Sequence, residues 1–152
     1  MQIRNMVLDD YKEVDRLMAQ VHKLHVNGRP DLYIDVEHIY SFNQYKQMVE
    51  NEDMITILAE TEEKVVGICM VSMRARTGMV NRRTAYMDDL CVDETCRGKG
   101  IGKALFLYAK EQSMKMGAER LDLMVWNFND DARHFYEKMG MTPQRYIYET
   151  KL

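Results

Sequence analysis

Between Arg97 and Lys103 the chain reads Arg-Gly-Lys-Gly-Ile-Gly-Lys, three glycines alternating with two bulkier residues. A run of strand-forming residues, 84–92, precedes it. Ile101, Leu105, Tyr108 and Met116 then mark one face of a helix that Gly117 terminates, and Arg120 to Val125 reads as a further strand. Strand, glycine turn, helix and strand make a βαβ unit, so strands 84–92 and 120–125 are expected to be parallel neighbours. A glycine turn at such a handover exposes several backbone N–H groups, and the helix N-terminus adds its positive end. The stretch is therefore a candidate nest for an anion, most naturally a phosphate, with Arg97 and Lys103 adding charge at its rim. It is not a Walker A loop, because the position five before Gly102 is Arg97. Nor is it G-x-G-x-x-G, since the glycines run G-x-G-x-G. A flexible basic turn that holds nothing is the competing reading.

The rest of the chain supplies a frame for that unit. Gln2 to Val7 reads as a strand. Asp9 or Asp10 offers an N-cap, with Glu13 completing a capping box, for a helix over 10–26 whose Val14, Leu17, Met18, Val21 and Leu24 recur at helical spacing. Asn27 to Asp31 breaks the chain, and a less regular helix is expected near 37–50. Tyr33, Tyr40, Phe42 and Tyr45 in this part either line a pocket or cover the sheet. Met54–Ala59 and Val65–Met73 read as a hairpin around Glu62-Glu63-Lys64, and Arg74 to Arg83 as a basic loop. After Val125, Asn129, Asp130 or Asp131 caps a last helix carrying Ala132, Phe135, Tyr136 and Met139 on one face. Gly140 ends it, and Tyr146 to Lys151 reads as a final strand. The expected fold is α/β (α+β): one domain over 1–152, with a mixed sheet of six to seven strands and helices on both faces. A ligand belongs at the carboxyl ends of the parallel strands.

Composition narrows the function classes. A chain of 152 residues can bury about 70% of its unfolded surface, enough for a core without staples. A net charge of −3 gives no footprint for nucleic acid. The longest apolar run, Val65 to Val71, is too short to span a bilayer, and no leader-like segment opens the sequence. Cys69, Cys91 and Cys96 are odd in number and lack C-x-x-C spacing, which fits a reduced, cytoplasmic compartment. His22 and His25 are not at i and i+4, so no metal site is expected.

Two motifs resemble those of one known family. Arg97-x-x-Gly100-x-Gly102 is similar to the [Q/R]-x-x-G-x-[G/A] signature of the GCN5-related N-acetyltransferases (GNAT), and Met87 to Asp93 resembles that family's fourth strand. Downstream, Asn129-x-x-Ala132-x-x-x-Tyr136-Glu137-Lys138-x-Gly140 resembles its last-helix motif. The close match covers roughly 85–141. The resemblance implies a sheet splayed between its fourth and fifth strands, with acetyl-CoA in the gap as co-substrate. It implies pyrophosphate contacts from Arg97, Gly98, Lys99, Gly100, Ile101, Gly102 and Lys103, and pantetheine contacts from the backbone of Leu90, Cys91 and Val92. Asn129, Ala132 and Tyr136 join the cofactor-binding set through the last-helix motif. Tyr136 matches the tyrosine that assists the departing sulfur, although it also completes an apolar helix stripe and so could be core.

Acetyl transfer to nitrogen needs a neutral amine. An alkylamine has a pKa of about 10.4, so deprotonation at pH 7 costs roughly 4.6 kcal/mol. A carboxylate could supply part of that. Asp88 and Asp89 end the strand before the glycine turn and are the candidate bases. Strict alternation puts them on opposite faces, so at most one is expected in the site. Cys91 has no histidine beside it in the sequence and reads as a buried strand thiol. The implied function is acetyl-CoA-dependent transfer to a primary amine of a small molecule or peptide. A non-catalytic coenzyme A-binding sensor or interaction module is the alternative, and a homodimer is left open.

Overall fold

The structure, a computed structural model, describes residues 1–152 except Glu63, Arg76, Met79, Asn81 and Arg82. Its elements are β1 (Gln2–Asn5), α1 (Tyr11–Gly28), α2 (Phe42–Val49), β2 (Met54–Glu60), β3 (Val65–Ala75), β4 (Arg83–Val92), α3 (Ile101–Lys115), β5 (Arg120–Leu123) and α4 (Asp130–Lys138). The strands form one sheet in the order β1-β2-β3-β4-β5, antiparallel except for the β4–β5 pair. Glu63 of the expected hairpin turn and Arg76, Met79, Asn81 and Arg82 of the expected basic 74–83 loop lie outside the described residues.

Among the described residues five strands are found where six to seven were expected. The segment Tyr146–Lys151 has strand-forming residues but takes up no ladder, and Tyr146, Ile147 and Tyr148 stand 78%, 77% and 91% exposed. Strand propensity alone does not make a strand; a partner edge must be beside it.

The central strands are apolar on both faces because helices cover both. Ile55, Ile57, Cys69, Val71, Ala85 and Met87 pack against Ile101, Leu105, Phe106 and Ala109 of α3, with Phe135, Tyr136 and Met139 of α4 alongside. Leu58, Val65, Ile68, Met70 and Cys91 pack on the other face against Val14, Leu17 and Met18 of α1 and Tyr45 of α2. The unbroken apolar run Val65–Val71 is what a strand buried on both sides requires.

The start of α1 differs from the capping box expected at Asp9, Asp10 and Glu13. A short 3-10 turn, Leu8–Asp10, comes first. The Asp10 carboxylate accepts the Val7 N–H at 2.8 Å and pairs with Arg4 at 2.7 Å, and Asp10 makes no side-chain cap on α1. The strong cation on β1 outcompetes the helix N–H groups.

One ion cluster sets the approach to the glycine turn. Asp93, its side chain 3% exposed, accepts from Arg16 at 2.7 Å and Lys64 at 3.2 Å. Its other oxygen takes the Thr95 N–H at 3.0 Å and hydroxyl at 2.7 Å. Bonds from Thr95 and the two cations hold Asp93 well below the usual carboxylate range. Hence the end of β4 is tied to α1 and β3 immediately before the turn begins.

Candidate active site

The glycine turn has the backbone a nest needs. Gly98 has φ 76° and Gly100 has φ 80°, both left-handed. A Cβ at either would meet nothing within 4 Å, so the demand for glycine is conformational and open space lies over the turn. Gly100 is the N-cap of α3 and has no side chain to offer, so the first N–H groups of the helix carry no side-chain cap. Gly102, one residue inside, faces Val92 at 3.5 Å and Phe135 at 3.6 Å. Arg97 folds back, its Nε donating to the Val92 carbonyl at 3.2 Å.

Beside the turn, β4 and β5 part company. Their pairing runs from Thr84↔Arg120 to Met87↔Leu123 and ends there. At the same place the β3–β4 register slips: Val71 pairs with Met87 but Met70 pairs with Asp89, which leaves Asp88 as a bulged extra residue. The bulge overturns the expectation of opposite faces. Asp89 shares the α1/α2 face with its partner Met70. The Asp88 carboxylate reaches Arg74 on that same side at 2.8 Å, and the Arg74 guanidinium lies 3.5 Å over the Tyr86 ring.

The two aspartates are nonetheless different acids. Asp88 is neutralised by Arg74. Asp89 accepts the Tyr40 hydroxyl at 3.1 Å and has no cation within bonding distance among the described residues. Burial pushes its carboxyl up to about 6; the Tyr40 hydrogen bond opposes this and the charge of Asp88 adds to it. Tyr40 was placed only in a segment that lines a pocket or covers the sheet. Its partner is far off in sequence, and no local pattern signals the contact.

Tyr136 approaches from the α3/α4 side. Its ring lies 6.3 Å from Phe106 and 5.2 Å from Phe135. Burial, then the Cys69 thiol and the Asp89 carboxylate, raise its pKa above that of a free phenol. The hydroxyl therefore keeps its proton and is a hydrogen-bond donor within electrostatic reach of Asp89. Two of the thiols, Cys69 and Cys91, are inert by the same burial. Cys91 donates to the Leu17 carbonyl at 3.4 Å and is pushed up to about 12, and Cys69 is raised as well. Asn129 caps α4, accepting the Ala132 N–H at 3.2 Å, so these two matched residues position the helix that carries Tyr136.

The rim is aromatic. Tyr33 accepts from Trp126 Nε1 at 3.1 Å and stacks with His25 at 5.2 Å, while Arg29 lies 5.2 Å from the centre of the Trp126 ring. A cleft of about 820 Å³ opens between α1 and Arg97, with Lys23, Asp35, Glu94 and Phe128 among its walls. No group of three or more metal-ligating side chains occurs among the described residues. None of the described helices is long and apolar enough to cross a membrane.

An open mixed sheet with a left-handed glycine turn at the start of the helix that joins its parallel strands defines an α/β protein. Residues 18–141 match the acetyltransferase (GNAT) family, and the chain belongs to that family. A mutant of the BH1408 protein of Bacillus halodurans shares its structure at TM-score 0.94 and 33% identity, over 100% of this chain and 99% of that one. The L-ornithine N5-acetyltransferase NATA1 of Arabidopsis thaliana is 38% identical over 55 residues, 36% of this chain and 24% of its own length. An uncharacterised N-acetyltransferase of Methanocaldococcus jannaschii is 24% identical over 145 residues, 95% of this chain and 62% of its own length. The chain thus spans less than two thirds of either of these curated relatives.

The nest makes a direct prediction. Gly100→Glu is expected to weaken acetyl-CoA binding by about tenfold or more, by setting a carboxylate against the place a phosphate would occupy. Any residue but glycine strains the φ of 80° there, so Gly100→Ala is the control that shares the strain without the charge. Calorimetry that finds equal acetyl-CoA affinity in folded Gly100→Glu and in the parent would remove the nest as the binding site.

Proposed function

We propose that this protein is an acetyl-CoA-dependent N-acetyltransferase acting on a primary amine. The observation that carries the reading is that Asp89 and Tyr136 lie within electrostatic reach of each other beside the place where the β4–β5 ladder ends. One is a carboxylate with a pKa raised to about 6, the other a phenol held in its protonated form. The ligand fits the residues present: a left-handed glycine turn, an uncapped helix N-terminus and a β4 edge unpaired beyond Met87. Backbone N–H groups from Gly98 to Lys103 would hold the pyrophosphate, with Arg97, Lys99 and Lys103 around it. The backbone of Leu90, Cys91 and Val92 would take the pantetheine arm as an added strand. When bound, acetyl-CoA supplies an acetyl group activated as a thioester.

The chain's own residues do the rest. Asp89 accepts a proton from the acceptor ammonium, directly or through water, which yields the neutral amine. Tyr40 holds that carboxylate in place from the side opposite the sheet. Tyr136 points a hydrogen bond into the gap, where negative charge grows on the leaving sulfur, and a bond that strengthens with that charge lowers the barrier. Asp88 and Arg74 fix the bulge rather than the proton.

The acceptor proposed is a small cationic amine or an exposed peptide amine. Asp89 and the net charge of −3 favour a positive partner. The basic loop argues the other way, but Arg74 is paired with Asp88 at 2.8 Å and Arg83 with Asp53 at 2.9 Å. The relative named for L-ornithine supports an amine of this kind. Thiol release from acetyl-CoA over a panel of amines is the test. Release with polyamines, basic amino acids or lysine peptides is expected. Release with anionic acceptors alone overturns the charge argument. Acetyl-CoA binding without release for any amine leaves the coenzyme A-binding module as the better account.

A further inference from the structure

Arg74 is clamped on three sides. Its Nε donates to the Ser72 hydroxyl at 3.2 Å, its Nη2 donates to the Asp88 carboxylate at 2.8 Å, and its guanidinium lies 3.5 Å over the Tyr86 ring. Ser72 pairs with Tyr86 across the β3–β4 ladder, so this stack stands on the α1/α2 face with Met70 and Asp89. Met87↔Leu123 is the last β4–β5 pair. A guanidinium over Tyr86 and bonded to Asp88 therefore straddles the point where the two strands separate, and Asp89 is the next residue along.

A guanidinium carries five N–H donors. Here one goes to Ser72 and one to Asp88, and the rest meet no acceptor among the described residues. The Arg74 side chain is 41% exposed, so this unused edge is open to a ligand. Nη1 and Nη2 together form the fork that takes a carboxylate through two parallel bonds. The bond to Asp88 does not preclude a second carboxylate: Arg4 bonds both Asp10 and Glu60, and Arg16 bonds both Glu13 and Asp93. Stacking on Tyr86 fixes the plane of the fork in advance, so little side-chain freedom is lost when a ligand binds.

The surroundings suit a ligand of both signs. Tyr86 lies in the field of two cations, Arg74 and Arg145, and of two carboxylates, Asp88 and Asp122. A plain diamine leaves the cations without a partner, and a plain anion is repelled by the carboxylates. A molecule with an ammonium and a carboxylate is matched at both ends.

We propose that Arg74 is the carboxylate grip of the acceptor site and that the acceptor is a basic amino acid. Its carboxylate lies on the Nη1–Nη2 edge of Arg74, and the amine to be acetylated reaches Asp89. Its second amine keeps the net charge positive beside the acidic residues. This deepens the acetyl-transfer reading and rests on it for the fate of the bound molecule.

Kinetics with matched acceptors is the test: L-lysine beside cadaverine and L-ornithine beside putrescine, each amino acid differing from its diamine by the carboxylate. In the parent, kcat/KM is expected to favour each amino acid by about 10–100-fold, chiefly through KM, the pattern of a contact kept from ground state to transition state. Arg74→Met keeps an apolar stem over Tyr86 and removes the fork. It should bring that ratio to within about threefold of unity, whatever it does to both rates through Asp88. Arg74→Lys keeps the charge without the fork and should restore only part of the ratio. Calorimetry on the coenzyme A-loaded protein reads the grip without turnover: L-lysine should bind, and its affinity should fall by the same factor in Arg74→Met. A parent that does not favour the amino acids, or a ratio that survives in folded Arg74→Met, overturns the grip and leaves acetyl transfer standing. Arg74-dependent binding of L-lysine with no acetylation of any amine keeps the grip and removes the acetyl-transfer reading. A parent that binds neither L-lysine nor L-ornithine overturns the proposal.

Discussion

Asp89→Asn is expected to lower kcat/KM for the amine by about 10²–10⁴-fold at pH 8. It is also expected to erase an ascending limb of the pH profile centred near pH 6. In the parent, Asp89 is protonated below that pH and cannot take the ammonium proton; above it the carboxylate is free to do so. A second limb from the acceptor amine near pH 10 should remain in both proteins. The substitution keeps the shape and leaves an amide that can still meet the Tyr40 hydroxyl, so binding of acetyl-CoA should be unchanged. Stability gives an independent check of sign. Because the folded pKa lies above the unfolded value near 4, raising the pH from about 4 to 6 removes protons from the unfolded state first and costs stability. Asp89→Asn should flatten that decline and be no less stable than the parent at pH 7. A variant that keeps full activity and the limb near pH 6 would show that another group is the base. Asp88→Asn is the contrast, because its carboxylate is already paired with Arg74 and its loss should leave the lower limb in place.

Tyr136→Phe is the second large effect. The substitution removes one oxygen and leaves the ring between Phe106 and Phe135, so the melting temperature should barely move. If the hydroxyl supports the leaving sulfur, kcat should fall by about 10²–10⁴-fold at near-constant acetyl-CoA affinity, the pattern of an interaction made chiefly in the transition state. The raised pKa decides the form of the help: a phenol this reluctant to ionise donates a hydrogen bond and does not hand over its proton. Turnover within about threefold of the parent, in a folded protein, would leave Tyr136 as a packing residue. The two variants also separate the proton steps, since Tyr136→Phe should keep the limb near pH 6 that Asp89→Asn loses.

What was legible from residues alone was local. The alternating glycines at 98, 100 and 102 announce a left-handed turn between strand and helix, and the φ values of Gly98 and Gly100 are that turn. Periods of 3.6 and 2 placed α1, α3, α4 and the first four strands to within a few residues, because each element buries its own stripe. The cap of α4 was narrowed to Asn129, Asp130 or Asp131 for the same reason, and the structure has Asn129 there. Only the tertiary structure distinguished the two aspartates. A bulge depends on the register of the neighbouring strand, and the β3–β4 slip at Met70/Val71 broke the alternation that sequence spacing assumes. The raised pKa of Asp89 likewise comes from burial, against which its hydrogen bond to Tyr40 acts, and Tyr40 lies between α1 and α2, far back in the chain, so no window of sequence contains both partners. The last strand marks the same limit from the other direction. Tyr146 to Lys151 has every local mark of a strand, but a ladder is a property of two segments, and within one protomer the second is not beside it.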